Sequence, residues 1–294
     1  MMKNTSKYIF ALGTFDGVHL GHQSLLKAAK EMAKEPGVSP AVYTFSDLPR
    51  AAVEGKKIGM LTAPVQKYGL LKAAGASLVI AEPFEKVRYL SPEEFVYYLV
   101  GAFGAEGFVC GRDFRFGQGG VGDAEALCRI AATVGKQVRV VDFLQDENGQ
   151  KIASGQIRRY VEAGQPEQAA AALGRPFFVE GDVLHGKGLA RQWGTPTINL
   201  PLPDDLVQPR FGVYATRVTV DGKTYPGVTN VGRRPTVERD AAPNVETYIL
   251  EGAFERIDRA QVEFLRFIRP EMTFPDEKSL QLQIAKDIQS AKEL

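Results

Sequence analysis

Cysteine, long apolar runs and net charge are all scarce in this sequence. Its 294 residues include two cysteines, Cys110 and Cys128, which form neither a CxxC pair nor a Cys/His metal-ligand spacing. Such sparse use is more typical of a reducing compartment than of a disulfide framework. No stretch approaches the roughly 20 apolar residues that span a bilayer, and the N-terminal apolar run is too short for a signal-peptide core. We therefore expect a cytoplasmic protein that has no membrane partner.

The charges of the chain are evenly balanced. There are 36 Lys and Arg residues against 35 Asp and Glu, which gives a formal net charge of +1, and there is no long basic run. A nucleic-acid partner normally requires a concentrated positive surface, so we expect none. The expected partners are small molecules, phosphorylated ones included.

Two sequence patterns divide the chain, and its 44% hydrophobic content is enough for two cores. Up to residue 173, short apolar strands alternate with helical patterns, which predicts an α/β domain built on a parallel sheet. Ser91, Pro92 and Glu94 form a capping box with proline at the first helical position, so a helix begins there. The strand candidates are residues 8–12, 41–44, 77–81, 108–110 and 138–141.

From residue 174 onward the segments are rich in β-formers and separated by glycine, proline and charged turns, which predicts a small antiparallel β-barrel. Asp221 and Gly222 form a two-residue hairpin turn between two strand candidates. A terminal amphipathic helix is expected from the helical spacing of Leu280, Ile284, Ile288 and Ala291. The strand candidates are residues 178–184, 212–220, 223–231, 245–250 and 261–268. We predict two domains, residues 1–173 and 174–294.

The segment GTFDGVHLGH, residues 13–22, lies between the first predicted strand and a predicted helix. Its glycines Gly13, Gly17 and Gly21 let backbone N–H groups approach an anion, and the helix N-terminus adds partial positive charge. Two of the three histidines of the chain, His19 and His22, lie here, where they can hold a triphosphate and stabilise a departing pyrophosphate. The alternatives are a metal-binding pair or solvated helix-capping histidines, and the strand-loop-helix context favours the nucleotide site.

Further segments of the first half follow in a characteristic order: LTAPVQKYGLL (61–71), LSPEEF (90–95), CGRDFRFGQGGVGD (110–123) and KIASGQIRRYVEAG (151–164). Together they resemble the FMN adenylyltransferase half of bacterial bifunctional FAD synthetases. The resemblance implies a Rossmann-like nucleotidyltransferase sheet, on which FMN phosphate attacks the α-phosphorus of ATP and expels pyrophosphate. It makes His19 and His22 catalytic candidates. The implied nucleotide- and phosphate-binding candidates are Gly13, Phe15, Asp16, Gly17, Gly21, Ser154 and Arg158.

The same resemblance implies that the loop 111–117 lies near flavin and nucleotide, so Asp113 and Phe114 are flavin-binding candidates. A loop-capping carboxylate and a buried core ring are equally compatible with these two residues.

The second half contains GDVLHGKG (181–188), RQWGTPTIN (191–199) and VETYIL (245–250), and it resembles riboflavin kinase. The resemblance implies that Thr197 and Asn199 bind Mg²⁺ and ATP phosphate, for which hydroxyl and amide oxygens are suitable ligands. It makes Glu246 the catalytic base that accepts the proton of the riboflavin 5′-hydroxyl. Trp193 is a flavin-binding candidate, with packing as its alternative. Candidates for a phosphate-covering loop are Gly186, Lys187 and Gly188.

Two segments depart from the adenylyltransferase pattern. Its usual Thr-Phe-x-Pro-His-Pro is TFSDLP here, residues 44–49, and its Ser-Ser-Thr-x-Ile-Arg run is ASGQIR, residues 153–158. Hydroxyls are therefore missing at Ala153 and Gly155, and one preorganised donor can be worth about 3 kcal/mol in a transition state.

Three hypotheses for function follow. The first is a bifunctional enzyme that converts riboflavin to FMN and FMN to FAD with ATP and Mg²⁺. The second is a riboflavin kinase whose first domain only binds nucleotide or flavin. The third is a nucleotidyltransferase acting on another small phosphate, which the second half of the chain opposes.

Overall fold

The computed structural model describes residues 6–184, 197–233, 243–254 and 256–293. Contacts divide the chain into two compact units, one ending at Ser154 and the other beginning at Gly155. The predicted division into domains after residue 173 stays a prediction. Among the described residues, no helix combines the length and the apolar character that crossing a bilayer requires.

The first unit is built on a five-stranded, wholly parallel sheet with strand order β3-β2-β1-β4-β5. The strands are β1 (Lys7–Leu12), β2 (Val38–Phe45), β3 (Leu78–Glu82), β4 (Ala105–Gly111) and β5 (Gln137–Val141). The helices are α1 (Leu20–Met32), α2 (Pro49–Glu54), α3 (Pro64–Ala73), α4 (Pro92–Phe103) and α5 (Ala124–Thr133). All five predicted strands and the α/β class are confirmed.

The core of this unit lies on both faces of the sheet. Phe10 and Leu12 of β1 pack into one cluster, while Ile9 and Ala11 pack into the other. A strand buried on both faces reads as a continuous apolar run, which is why β1 is recognisable in the sequence. The predicted capping box is also present: Ser91 Oγ accepts from the Glu94 N–H at 3.1 Å, and Glu94 accepts from the Ser91 N–H at 2.7 Å.

The strand order places a topological switch point between β1 and β4. The chain leaves β1 towards β2 on one side, and β4 pairs with β1 on the other. In open α/β sheets, ligands bind in the crevice at the carboxyl ends of the strands at such a point. The segment 13–19 begins at the carboxyl end of β1 and leads into α1, so it lies at this crevice.

The second unit begins with two helices and continues as a six-stranded antiparallel sheet with order β6-β11-β8-β9-β10-β7. Its helices are α6 (Ser154–Ala163), α7 (Pro166–Leu173) and α8 (Glu277–Lys292). Its strands are β6 (Phe177–Asp182), β7 (Thr197–Pro201), β8 (Gly212–Val220), β9 (Lys223–Arg233), β10 (Pro243–Ile249) and β11 (Arg259–Arg269).

The sheet is curled, so that its two end strands, β6 and β7, approach each other. The N–H of Leu184, just after β6, donates to the carbonyl of Asn199 on β7 at 2.8 Å. The hairpin turn is confirmed: Asp221 and Gly222 have φ of 47° and 76° between paired Val220 and Lys223. Both positive φ values are typical of a type I′ turn. The antiparallel, barrel-like sheet and its terminal helix α8 are confirmed.

Candidate functional sites

The loop that follows β1, residues 13–18, is called the glycine loop below and has an unusual backbone. Phe15 and Val18 have positive φ values of 51° and 43°, in addition to Gly17 at 81°. Such a conformation costs on the order of 1–3 kcal/mol for a residue with a side chain, and most for a β-branched one. It persists only where the surroundings hold it.

Contacts from the segment before α3 hold this loop. Asp16 is 2% exposed, and its Oδ1 accepts from the N–H of Leu61 at 2.8 Å. The N–H of Gly17 donates to Thr62 Oγ1 at 3.3 Å. The buried carboxylate therefore shapes the loop by accepting a backbone hydrogen bond, and the loop conformation is set before any ligand arrives.

The two histidines lie against each other at the start of α1. Their rings stack with centroids 3.6 Å apart. His19 is the N-cap residue, and its Nδ1 accepts from the N–H of His22 at 3.3 Å. A Cβ at Gly21 would lie 3.2 Å from the His19 ring, so glycine leaves room for the stack. Helix capping, one of the alternatives for this pair, is thus present at His19.

A metal-binding pair receives no support from the surroundings. In the described parts of the chain, no group of three or more His, Cys, Asp or Glu side chains is placed to hold an ion. His19 already uses Nδ1 for the capping bond.

His22 is held in its neutral form. Burial, together with electrostatic interactions with His19, Lys67 and Lys151, lowers the pKa of His22 well below its ordinary value. Its Nδ1 is enclosed and has no hydrogen-bond partner among the described residues. An enclosed N–H without an acceptor costs a hydrogen bond, so the single proton is better placed on Nε2. The ring therefore offers a neutral N–H donor.

A cavity of about 690 Å³ opens at the switch point. This volume lies within the range of small-ligand sites. Its walls bring together candidates from three separate segments of the first unit: Gly13, His19, Gly21, His22, Asp113, Phe114 and Ser154. Phe15 is fully buried in a core cluster, and Asp16 and Gly17 are buried within the loop itself, so these three support the cavity wall without lining it.

The loop 111–117 supplies one wall of the cavity. Phe114 stacks on Phe116 with centroids 5.5 Å apart and an interplanar angle of 11°. Phe114 also packs against the core, so it takes part in both core packing and the cavity wall. The Asp113 carboxylate forms an ion pair with Lys151, which lines the same cavity. Both residues stay predicted flavin contacts.

The segment with missing hydroxyls supplies another wall. Ala153 and Ser154 line the cavity, and Ser154 Oγ donates to the Asp16 carbonyl at 2.9 Å. The one remaining hydroxyl thus supports the glycine loop. Arg158 lies on α6, which belongs to the second unit. In the other departing segment, Asp47 Oδ1 accepts from the Phe84 N–H at 2.9 Å and ties the loop after β2 to the segment after β3.

The second group of candidates is assembled by strand register. Asn199 on β7 lies opposite Glu246 on β10, and Thr197 lies opposite Tyr248. Directly opposed residues point to the same side of a sheet, so Thr197, Asn199 and Glu246 share one face. The alternate residues of β10, Val245, Thr247 and Ile249, are buried on the other face. Burial and the Glu246 charge raise the pKa of Tyr248, which keeps its phenol neutral.

Asn244 joins this site, and the sequence did not identify it. Its Nδ2 donates to Asn199 Oδ1 at 2.9 Å. The bond fixes which end of the Asn199 amide is the acceptor. Asn244 is 45 positions from Asn199 in the chain, so only the pairing of β7 with β10 brings the two together. The candidates Gly186, Lys187, Gly188 and Trp193 lie outside the described residues.

Comparisons with known proteins agree for both halves. A family model described as FAD synthetase matches residues 1–156, and one described as riboflavin kinase matches residues 173–294. A bifunctional riboflavin kinase/FMN adenylyltransferase of Listeria monocytogenes is 34% identical, over 97% of this chain and 91% of the relative. One from Pseudomonas fluorescens is 35% identical, over 97% and 92%. A crystal structure described as a macrolide-efflux protein from Streptococcus pneumoniae has a TM-score of 0.89 at 28% identity, covering 99% of this chain and 96% of that one.

Proposed function

The chain belongs to the family of bifunctional riboflavin kinase/FMN adenylyltransferases, and we propose that it performs the two reactions at the two sites described above. Riboflavin and ATP give FMN and ADP at the β7–β10 site of the antiparallel unit. FMN and ATP give FAD and pyrophosphate at the cavity of the parallel unit. Matches to both families, and relatives that extend over both halves, support this hypothesis over a riboflavin kinase with an inactive first domain.

For adenylyl transfer, the carrying observation is the histidine pair in the cavity at the switch point. The N-terminus of α1, whose residues Gly21 and His22 line the cavity, suits the triphosphate of ATP. An FMN phosphate oxygen attacks the α-phosphorus, and the bond to pyrophosphate breaks. His22 donates a neutral N–H and His19 stacks on it, so the pair suits charge that grows on the departing pyrophosphate.

For the kinase, the carrying observation is the register that places Asn199 opposite Glu246. Glu246 accepts the proton of the riboflavin 5′-hydroxyl as that oxygen attacks the γ-phosphorus and ADP leaves. The hydroxyl of Thr197 and the amide oxygen of Asn199 are hard ligands on the same face, so this donor set fits Mg²⁺. The bound cation would neutralise charge on the phosphates. A cytoplasmic location and the absence of nucleic-acid and membrane partners belong to the same proposal, supported by the sparse cysteines and balanced charge.

Variants that separate the two reactions test the assignment. Glu246→Gln removes the base while keeping the shape, and we expect FMN formation from riboflavin to fall by about 10²–10⁴-fold with ATP binding retained. The double variant His19→Ala/His22→Ala should lose FAD formation from FMN while its FMN formation from riboflavin stays near wild type. Initial rates followed by chromatography of both flavins give the answer.

Glu263→Gln is the matched control for the base. Glu263 is a strand glutamate of the same sheet, and it pairs with Arg217 at 2.6 Å. Unchanged FMN formation in Glu246→Gln would remove the base assignment. Equal loss of both reactions in the histidine variant would contradict separate sites.

A further inference from the structure

Lys67 is a buried lysine beneath the glycine loop. It lies on α3 and is 5% exposed, although lysine is rarely buried without partners. Its Nζ donates to the carbonyl of Phe45 at 2.6 Å and, more distantly, to the carbonyl of Thr14 at 3.5 Å. Phe45 ends β2, and Thr14 follows β1. The ammonium therefore joins the carboxyl ends of two neighbouring strands at the edge where the cavity opens.

Lys67 is one of three residues in the short segment 61–67 that fix the glycine loop by hydrogen bonds, which are called clamps below. The Leu61 N–H, the Thr62 hydroxyl and the Lys67 ammonium all hold the stretch 14–17 from the same side. The Thr14 carbonyl also accepts from Thr44 Oγ1 at 2.8 Å. Because two non-glycine residues of the loop have positive φ, clamps of this kind are what the strained backbone requires.

The charge of Lys67 matters as well as its hydrogen bonds. Burial lowers the pKa of Lys67, and the charges of Asp16 and Asp47 oppose that shift. The groups that act electrostatically on His22 are the neighbouring His19 ring and the ammonium groups of Lys67 and Lys151. Removing the ammonium takes away one of the positive charges that disfavour a protonated His22.

We propose that Lys67 is a positioning residue for adenylyl transfer: its ammonium holds the strained loop 13–18 in the conformation that receives the triphosphate of ATP. The inference rests on the proposed function of this cavity. Lys67 acts through the Thr14 and Phe45 carbonyls and needs no contact with the substrate. A preorganised loop spends no binding energy on ordering itself.

Replacing Lys67 by methionine tests the proposal in the full-length protein. We expect Lys67→Met to lower kcat/KM for ATP in FAD formation by at least about tenfold, because small misplacements at such sites are costly. The KM for FMN and the rate of riboflavin phosphorylation should stay within about twofold of wild type. Lys67→Arg, which keeps a cation and its donors, should recover most of the loss. In NMR titrations, His22 should protonate at a higher pH in Lys67→Met than in wild type.

Lys72→Met is the matched control. Lys72 lies on the same helix and also donates to a backbone carbonyl, that of Ser77 at 2.6 Å, but this bond is exposed and Ser77 precedes β3. Wild-type kcat/KM in Lys67→Met, or equal losses in Lys67→Met and Lys72→Met, would overturn the proposal.

Two complications have separate readouts. If Lys67→Met does not fold, Lys67→Gln, which removes the charge but keeps a polar end, decides: a selective loss of FAD formation supports the proposal, and an equal loss of FAD and FMN formation would mean a purely structural lysine. If the wild-type protein forms no FAD, the proposed function fails on its own. Hydrogen exchange of the amides of residues 14–17 then still tests Lys67: exchange should be faster in Lys67→Met than in Lys72→Met, and equal exchange in the two folded variants would contradict the proposal.

Discussion

His22 shows at the scale of one residue how burial sets chemistry. Its side chain is half-buried with Nδ1 enclosed, and the lowered pKa keeps the imidazole neutral at pH 7. In the unfolded chain the same side chain protonates near pH 6.5. Between pH 7 and 5 the unfolded state therefore binds more protons, and the free energy of unfolding decreases as the pH falls.

We predict that this decrease depends on His22. The slope contributed by one such group is at most about 1.4 kcal/mol per pH unit. His22→Gln, which carries no titrating ring, should reduce the loss of stability between pH 7 and 5. Hydrogen exchange of the amides in residues 6–154 measures the free energy of unfolding of the first unit, which contains His22. An identical pH dependence in wild type and His22→Gln would contradict a lowered His22 pKa.

The hydrogen bond of Asn244 gives a second prediction for a single residue. Its Nδ2 fixes the orientation of the Asn199 amide, whose oxygen is the proposed Mg²⁺ ligand. Loss of a group that orients a metal ligand typically costs about 10–100-fold in metal affinity or activity. Asn244→Ala should therefore raise the Mg²⁺ concentration needed for half-maximal FMN formation by about that factor, and leave FAD formation from FMN unchanged. No change in the Mg²⁺ dependence would show that Asn199 is oriented by other contacts.

At the scale of elements, the predictable strands are those with apolar runs or clear alternation. β1 and β8 are recognisable in the sequence because most of their residues are buried and therefore apolar. The strand β7 was not predicted, because Thr197-Ile198-Asn199 follows a proline and its polar residues suggested a turn or a ligand motif. The helix α2 has no buried residue, so its sequence has no apolar periodicity from which a helix could be predicted.

The sites were predictable only in part, for a related reason. The glycines and histidines of residues 13–22 are neighbours in sequence, so one motif contained them. Lys67 and Asn244 act on partners 53 and 45 positions away, which only the fold brings close. The bond from the Leu61 N–H to Asp16 was equally unpredictable from the sequence. A carboxylate in a glycine-rich loop suggests a ligand contact more readily than a structural role.

The start of α6, at residues 153–155, gives a prediction about an element. Ala153 lines the cavity without a hydroxyl, and Ser154 is already bonded to the Asp16 carbonyl. Ala153→Ser together with Gly155→Thr adds two donors, and we expect FAD formation to rise by about tenfold or more if their absence limits the rate. Ala153→Ser alone separates the two contributions. No gain in the double variant would mean that other groups already provide those hydrogen bonds.

At the scale of the molecule, each unit has a fold that its own sequence pattern predicts. Alternating strands and helices gave the parallel sheet, and β-rich segments with glycine turns gave the curled antiparallel one. Each unit contains one group of candidate residues, at a switch point in the first and across paired strands in the second. Two chemically distinct sites on two folds are what a bifunctional enzyme requires.

The most direct test of this account is chromatography of flavins after incubating the purified protein with ATP and Mg²⁺, once with riboflavin and once with FMN. We expect FMN and then FAD from riboflavin, and FAD from FMN. FMN as the only product from riboflavin, with FMN itself left unchanged, would contradict the bifunctional assignment and leave a riboflavin kinase.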